Sequence, residues 1–268
     1  MRLPPDYHMH TPLCRHAVGA PAEYAARALA AGLGEIGFSD HAPMPRDDFD
    51  CWRMKLEELD LYAAQVEETR RAFPGLRIRL ALEVDYLPGC EDWIRQLAAR
   101  HPWDYLIGSV HYLSAWWAID SPHQMSEWKT RDPFAVWDGY FELLAQAAAS
   151  GLFDIIGHAD LCKKFCFYPQ QDCEPLYARF VAAAAASGVA MEINTAGLRK
   201  DCRELYPGPQ LLGMAVRAGV PLTFGSDAHA PEEVGLNFGE AVAAARAAGA
   251  AKYVRFEGRR ALVEELRD

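Results

Sequence analysis

Short apolar runs alternate along most of the chain with longer runs in which apolar residues recur at helical spacing. The short runs have the length and the aliphatic content of buried strands. The pattern predicts seven strands: Asp6–His10, Glu35–Asp40, Arg77–Asp85, Tyr105–His111, Phe153–Asp160, Val189–Asn194 and Pro221–Asp227. A weaker eighth candidate strand, Tyr253–Phe256, lies after the last helical run.

The runs between these strands predict six helices. The first opens with Pro21, and a glycine follows five of the six, as expected where a helix ends in a left-handed residue. The repeated strand–helix units predict parallel strands joined by right-handed crossovers, hence an α/β barrel somewhat smaller than the usual TIM barrel. The predicted helices are Pro21–Ala31, Lys55–Phe73, Pro133–Ser150, Glu174–Ser187, Gln210–Ala218 and Gly239–Ala248.

The length of the chain fits one such barrel. Its 268 residues are 51% hydrophobic, enough to supply one core, so we expect a single domain over residues 1–268. Three long loops interrupt the alternation: His41–Met54, Tyr112–Asp132 and Lys163–Cys173. The second loop carries three tryptophans, which would suit a lid or pocket wall and equally a loop packed onto the barrel. The pattern leaves both interpretations open.

Charge and cysteine content narrow the class of protein. With 27 Lys and Arg against 37 Asp and Glu, the net charge is -10, so we expect neither nucleic acid nor a membrane surface as a partner. No apolar run approaches the ~20 residues that a membrane span needs. Seven scattered cysteines and no signal peptide favour a reduced, cytoplasmic protein. Cys162, Cys166 and Cys173 lack the paired spacing of a zinc ribbon and are interpreted as ordinary thiols.

Histidines cluster where the chemistry of a barrel is expected. Seven of the nine lie at, or just beyond, the C-terminal end of a predicted strand, the face where β/α barrels build active sites. The motifs His8-Met9-His10 and Asp227-Ala228-His229 each place two potential ligands on one side of a strand. His101 is assigned a structural role, while His123 could reach the site from the second long loop. The candidate ligands at strand ends are His8, His10, His16, His41, Glu83, His111, His158, Asp227 and His229.

A ligand set of this kind predicts metal ions. Imidazole and carboxylate suit Zn, Fe or Mn, and a carboxylate can bridge two ions. The candidates exceed what one tetrahedral zinc can take, so we predict two or three divalent transition-metal ions with open positions for water and substrate. Several ions together can generate hydroxide at neutral pH and stabilise both the attacking and the leaving oxygen of a phosphoryl transfer.

At these residues the chain resembles the polymerase and histidinol phosphatase (PHP) superfamily, and the resemblance spans nearly the whole sequence. It implies a distorted, TIM-like (β/α)7 barrel. Longer matches resemble the histidinol-phosphate phosphatase branch. They are His10-Thr11-Pro12-Leu13-Cys14-Arg15-His16, Phe38-Ser39-Asp40-His41-Ala42-Pro43, Glu83-Val84-Asp85-Tyr86, Gly108-Ser109-Val110-His111 and Glu192-Ile193-Asn194-Thr195-Ala196-Gly197-Leu198-Arg199-Lys200.

Carried over by position, the resemblance implies a trinuclear centre. One ion would be held by His8, His10, Glu83 and Asp227. Glu83 would bridge to a second ion, completed by His111 and His158. The third would be held by His16, His41 and His229. All nine positions carry residues that can bind metal.

The reaction that the resemblance implies is hydrolysis of L-histidinol phosphate to L-histidinol and phosphate, a late step of histidine biosynthesis. The substrate is then a small phosphate monoester. A metal-bridging hydroxide would attack phosphorus in line while the ions spread the charge of the phosphoryl oxygens. No Ser or Cys nucleophile is required. Asp227 and His229 are the predicted catalytic residues, placed where one could help to protonate the departing alkoxide.

Phosphate binding also calls for fixed cations. Arg199, Lys163 and Arg15 follow strand ends or lie in the first ligand loop, so we predict them as phosphate contacts. Asp85 and Asp160 each lie two residues after a predicted ligand. They could accept from the substrate's ammonium or orient a ligand histidine.

Three alternatives share parts of this pattern. A PHP-type phosphoesterase acting on nucleotides or oligonucleotide ends would keep the metal site, but it would need a basic, aromatic-lined groove that this acidic chain lacks. A metal-dependent amidohydrolase would need a bridging lysine at a strand end, where Glu83 stands instead. A non-enzymatic module that stores metal or binds a partner would be favoured if some ligand positions carried residues that cannot bind metal. None of the nine positions does.

Overall fold

The structure, a computed structural model, describes residues 3–114 and 116–266. Within them, six strands form one curled, fully parallel sheet and four more form two antiparallel pairs. In chain order the strands are β1 (Glu35–Phe38), β2 (Arg77–Asp85), β3 (Tyr105–Ser109), β4 (Tyr112–Ser114), β5 (Trp117–Ala118), β6 (Ile155–Ile156), β7 (Ala190–Asn194), β8 (Leu222–Gly225), β9 (Lys252–Glu257) and β10 (Arg260–Glu265). The parallel sheet has the order β1-β2-β3-β6-β7-β8, and its strands are almost entirely buried, as expected under a layer of helices.

All six predicted helices are present, with ends shifted by a few residues. Asp132 caps the helix Pro133–Ala149 by accepting a hydrogen bond from the backbone N–H of Phe134 at 3.1 Å, and Gly188 ends the helix Glu174–Ser187 at a φ of 75°. In the described residues the helices are α1 (Pro21–Ala30), α2 (Leu59–Ala72), α3 (Glu91–Ala98), α4 (Met125–Trp128), α5 (Pro133–Ala149), α6 (Glu174–Ser187), α7 (Pro209–Arg217) and α8 (Phe238–Ala247). The sequence pattern missed α3 and α4, which are too short to show helical spacing clearly. None of these helices combines the length and the apolar character that crossing a membrane requires.

Residues 6–10 lie between the two edges of the parallel sheet. The backbone N–H of Tyr7 donates to the carbonyl of Phe224 of β8 (3.0 Å), while the backbone N–H of Gly37 of β1 donates to the carbonyl of Asp6 (2.8 Å). We predicted a regular strand here, and that detail is wrong. The segment forms only isolated bridges, because its hydrogen bonds are divided between two edge strands. The sheet and this segment together confirm the predicted TIM-like α/β fold class.

Two other predicted strands also differ from the structure. Phe153–Asp160 shortens to β6, and the strand cannot continue through His158, which at a φ of 22° lies outside the extended region. The eighth candidate is β9, which pairs antiparallel with β10 and stays outside the parallel sheet. Val254 and Phe256 of β9 pack in one buried cluster with Tyr7 and Tyr105. Tyr7 directly precedes His8, and Tyr105 begins β3, the strand that leads to His111.

The second long loop packs onto the barrel and also forms a wall of the main cavity. Trp117 and Trp128 are 3% and 2% exposed, and the Trp128 indole N–H donates to the carbonyl of Ile119 at 2.8 Å. Trp116 remains 56% exposed. Asp120 and His123, between the two buried tryptophans, line the cavity. Trp117 and Trp128 are thus the part of the loop that packs onto the barrel, whereas Asp120 and His123 are the part that forms a pocket wall.

Candidate metal centre

The predicted ligands converge at one end of the parallel sheet. Glu83 lies near the end of β2, and the other ligands come from residues 6–10, from a turn after them, and from the loops after β1, β3, β6 and β8. A cavity of about 460 Å³ opens over them. Its lining includes His16, His41, Glu83, His111, His158, Asp227 and His229. His8 and His10 are fully buried.

Glu83 lies at the centre of the cluster, and its two oxygens face different groups of histidines. Its Oε2 lies near His8 Nε2 (3.3 Å), His10 Nε2 (3.7 Å) and His41 Nδ1 (2.8 Å). Its Oε1 lies near His158 Nε2 (2.9 Å) and His111 Nε2 (3.5 Å). A carboxylate placed in this way can bridge two ions.

Asp227 completes the first group. Its Oδ1 lies 3.3 Å from His10 Nε2 and 3.9 Å from His8 Nε2. Its backbone has a φ of 53°, a left-handed conformation that is uncommon for a residue with a side chain. Arg199 supports this turn, because its Nη2 donates to the carbonyls of Ser226 (2.8 Å) and Asp227 (3.3 Å).

A further group of imidazoles surrounds His229. Its ring centroid lies 4.1 Å from that of His10, 4.6 Å from that of His16 and 6.2 Å from that of His41. In this region, two sets of three residues each have potential ligand atoms that all lie within 4.8 Å of one another. They are His10–His41–His229 and Cys14–His16–His229. Cys14 was not among the predicted ligands, although it stands between His10 and His16 in the sequence.

Unpartnered polar atoms indicate that the residues fit metal ions. Among the described residues, the buried His8 Nε2, His10 Nε2 and Glu83 Oε2 have no hydrogen-bond partner. Leaving such an atom unsatisfied costs about 1–3 kcal/mol. A cation coordinated at this point would satisfy all three, and the imidazole and carboxylate donors are those of Zn, Fe or Mn.

Carboxylates behind the cluster fix the orientation of three ligand rings. Glu192 lies 2.8 Å from His8 Nδ1, Asp40 lies 3.3 Å from His10 Nδ1, and Asp85 lies 2.8 Å from His111 Nδ1. In each pair the carboxylate accepts the Nδ1 proton, which leaves Nε2 free to bind metal. Asp85 also lies 2.9 Å from Arg53 Nη2 and is not part of the cavity lining. Of its two predicted roles, its position favours orienting His111.

Opposing charges shift the pKa values of the cluster. Burial alone would raise the pKa of Glu83, but His8, His41 and His111 hold it well below its usual range. Burial also works to raise the pKa of Asp227, which His8, His10 and His229 likewise hold well below its usual range. Burial, with the charge of His10, lowers the pKa of His229 well below its usual value. At neutral pH both carboxylates are therefore anionic and His229 is neutral, the forms that bind metal.

Three of the predicted substrate contacts point away from the cavity. Lys163 is 2% exposed, and its Nζ lies 2.9 Å from Asp160 Oδ2 and 3.0 Å from Glu204 Oε2. Asp160 also accepts from the backbone N–H of Gly208 at 2.8 Å. Arg15 pairs with Glu58. The structure therefore does not bring Lys163, Asp160 or Arg15 to the cavity, because each faces a partner elsewhere.

Arg199 lies just behind the cavity wall. Its Nε is 3.1 Å from Glu233 Oε1, and Glu233 in turn accepts from the backbone N–H of His229 at 2.9 Å. Arg199 itself is not among the lining residues, whereas its neighbour Lys200 is. The guanidinium thus contacts the turn that carries Asp227 and His229.

Several lining residues were missed by sequence reasoning. Lys164 follows the same strand end as the predicted Lys163 and does line the cavity, with its Nζ 3.0 Å from Asp120 Oδ2. His123 does reach the cavity, while His101 lies elsewhere, 2.9 Å from Asp60. The missed lining residues that bear polar or aromatic groups are Trp52, Asp120, Ser121, Lys200, Tyr206 and Glu233. Most come from the long loops, whose conformation no periodicity predicts.

Comparisons with known proteins show which family this chain resembles. A family model described as the PHP domain matches residues 6–196, which include the predicted ligands from His8 to His158. A Deinococcus radiodurans protein named "Probable histidinol-phosphatase" is 47% identical over 91% of this chain and 93% of its own length. The Bacillus subtilis protein named "Histidinol-phosphatase" is 31% identical over 87% of this chain and 96% of its own.

A solved structure shows the same fold. It is histidinol phosphate phosphatase from Lactococcus lactis, complexed with zinc, L-histidinol and phosphate, and it aligns with a TM-score of 0.84 over 98% of this chain and 100% of the other. At 20% identity this likeness concerns the fold alone. Together, the extent of the family match and the identity to the Deinococcus protein establish that the chain belongs to the PHP domain family.

Proposed function

We propose that this protein is a histidinol-phosphatase, a phosphoric monoester hydrolase that releases L-histidinol and phosphate from L-histidinol phosphate. One observation carries the proposal: Glu83 lies between two groups of imidazoles beneath a cavity large enough for a small molecule. The names of the Deinococcus and Bacillus relatives support the choice of substrate. The enzyme would act in histidine biosynthesis.

We propose two or three divalent ions, Zn, Fe or Mn, as cofactors. Bound ions would supply positive charge to the phosphoryl oxygens and would lower the pKa of coordinated water. Glu83 would belong to two of the sites. The proposed ligand sets are His8, His10, Glu83 and Asp227 for one ion; Glu83, His111 and His158 for the second; and His16, His41 and His229 for the third.

Asp227 and His229 act in this proposal mainly as ligands. A carboxyl group with a pKa held as low as that of Asp227 is ionised at neutral pH and has no proton to give. His229 Nδ1 lies 3.0 Å from the carbonyl oxygen of Asp227, so this nitrogen carries the proton and donates it. Its Nε2 then has a lone pair for metal. The proton for the departing alkoxide would have to come from another group in the cavity.

The cavity wall offers partners for both ends of the substrate. Lys164 and Lys200 line it and would contact the phosphate as point charges. Asp120 and Glu233, also on the wall, would accept from the ammonium of histidinol. These residues replace Lys163, Arg15 and Asp160 in our assignment of substrate contacts. Arg199 would hold the turn at Asp227 in place.

The test is a comparison of substrates before and after metal removal. The purified protein would be treated with a chelator and assayed for phosphate release, and single metals would then be restored. We expect activity on histidinol phosphate to disappear and to return with zinc, iron or manganese. We also expect kcat/KM to be higher for histidinol phosphate than for a mononucleotide. Full activity of the metal-free protein, or a preference for the nucleotide, would contradict the proposal.

A further inference from the structure

Glu192 contacts two segments that carry predicted metal ligands. It lies in the middle of β7 and is 1% exposed. Its Oε1 is 2.8 Å from His8 Nδ1. Its Oε2 accepts from the backbone N–H of His158 at 2.9 Å and from Asn194 Nδ2 at 3.0 Å. Both oxygens are therefore occupied by donors, so the residue is not placed to bind metal itself.

The neighbouring strand leaves room for this carboxylate. A Cβ added to Gly225 of β8 would lie 1.9 Å from Glu192 Oε1 and 2.6 Å from the Cβ of His8. No side chain larger than hydrogen fits there while Glu192 and His8 keep their positions. An ionised carboxylate is costly to bury unless donors surround it, and Glu192 has such donors.

The contact with His8 determines which nitrogen of that ring is free. Nδ1 donates its proton to Glu192, so Nε2 is the nitrogen that is left to bind a metal ion. Nε2 lies 3.3 Å from Glu83 Oε2 and has no hydrogen-bond partner in the described part of the chain. Without the carboxylate, neither the tautomer nor the ring orientation of His8 would be fixed.

The contact with His158 holds an unusual backbone conformation. His158 has a φ of 22°, which a residue with a side chain adopts only when its surroundings enforce it. Its backbone N–H donates to Glu192, and its ring Nε2 reaches Glu83 Oε1 at 2.9 Å. Asn194 extends the connection, since its Nδ2 also lies 3.5 Å from Asp227 Oδ2.

From these contacts we infer that Glu192 is a positioning residue, which sets the geometry of His8 and His158 for metal binding without touching metal or substrate. The inference rests on the metal centre of the proposed function. It predicts that loss of the carboxylate weakens metal binding more than it disturbs the fold. Substitution of such supporting residues typically lowers metal affinity about 10–100-fold.

The test variant is Glu192→Gln, which preserves the shape of the side chain. Its amide oxygen can accept from His8 or from His158, but its NH2 group must then face the remaining donors. Glu35→Gln is the matched control. Glu35 is also a buried glutamate, at 4% exposure, but it pairs with Arg77 and Arg79 and contacts none of the nine predicted ligands.

Zinc affinity would be measured on metal-stripped proteins by competition with a chromophoric chelator, and folding by circular dichroism and thermal unfolding in EDTA. We expect Glu192→Gln to fold in EDTA and to bind at least one zinc about 10–100-fold more weakly. Glu35→Gln should bind zinc like the wild type. Wild-type zinc affinity in Glu192→Gln would overturn the inference. If that variant does not fold in EDTA, Glu192→Met, which has a similar length and also lacks the carboxylate, takes its place, and wild-type affinity there has the same meaning.

Failure of the proposed function gives a different result. A wild-type protein that binds zinc but does not hydrolyse histidinol phosphate would overturn the function, while the ratio of zinc affinities would still decide the role of Glu192. A wild-type protein with no zinc affinity would overturn both.

Discussion

Replacing Asp120 with asparagine should reduce the preference for a substrate that carries an ammonium group. Asp120 lies on the cavity wall, and its side chain is 21% exposed. A hydrogen bond to a charged group contributes about 1.5–3 kcal/mol, and partial exposure favours the lower end of this range. At about 1.4 kcal/mol per factor of ten, kcat/KM for histidinol phosphate should fall roughly tenfold.

The assay compares histidinol phosphate, which carries an ammonium group, with a phosphate monoester that carries none. Hydrolysis of p-nitrophenyl phosphate, which has no ammonium, should change much less in Asp120→Asn. Lys164 remains anchored, since its Nζ also donates to the backbone carbonyl of Asp120 at 2.7 Å. Glu127→Gln is the control, because Glu127 lies outside the cavity and pairs with Arg131 at 3.1 Å. An equal loss for both substrates would refute the reasoning, since Asp120 would then act on phosphate or on the fold.

Three further predictions concern other parts of the molecule. His16→Ala should lose bound metal, as measured by elemental analysis, together with most of kcat, because His16 lies among the ligands around His229. Lys163→Met should leave kcat unchanged but lower the free energy of unfolding in urea by about 3–5 kcal/mol, because the buried Asp160 would lose its ion-pair partner. Burial works to raise the pKa of Glu35, but Tyr7 and the nearby arginines lower it below its usual value. The ionised Glu35 therefore stabilises the folded protein above the unfolded-state pKa of about 4.3, and this stabilisation is lost as pH falls through the folded-state pKa. Urea unfolding at about pH 7 and about pH 3 should therefore show a larger loss of stability for the wild type than for Glu35→Gln.

Each of these predictions has a contradicting result. Normal metal content and rate in His16→Ala would remove His16 from the site. A loss of kcat without a loss of stability in Lys163→Met would return that lysine to the substrate contacts. Equal pH dependence of the wild type and Glu35→Gln would mean that the carboxylate of Glu35 is not stabilised in the folded protein.

The convergence of the predicted ligands at one face was predictable because strand direction determines it. Parallel strands bring their C-terminal ends to one face, so residues as distant in sequence as His8 and Asp227 become neighbours wherever a strand ends in a ligand. This reasoning needs only the strand ends and not their lengths. It therefore held even where β6 has two residues and where residues 6–10 form no regular strand.

The residues that line the cavity were harder to predict because they depend on local turns. Lys163 and Lys164 have the same charge and adjacent positions, yet only the second lines the cavity. The short 3-10 helix Leu161–Lys163 directs the first toward Asp160, and nothing in the composition signals that choice. Asp120 lies in a long loop without periodicity.

Glu192 did leave a signal in the sequence. It is a carboxylate within the apolar run Ala190–Asn194, which forms a strand buried along its whole length. A buried charge in such a strand requires partners. The identity of those partners follows only from the fold, because His8 is separated from Glu192 by 184 positions.

The central claim, a metal-dependent phosphatase site built around Glu83, is tested most directly by a crystal structure with zinc and phosphate bound, recorded with anomalous scattering at the zinc edge. We expect two or three zinc peaks, with the oxygens of Glu83 coordinating two of them and phosphate in the cavity beside Lys164. Zinc peaks elsewhere in the molecule, or a Glu83 carboxylate that binds no zinc, would contradict the account.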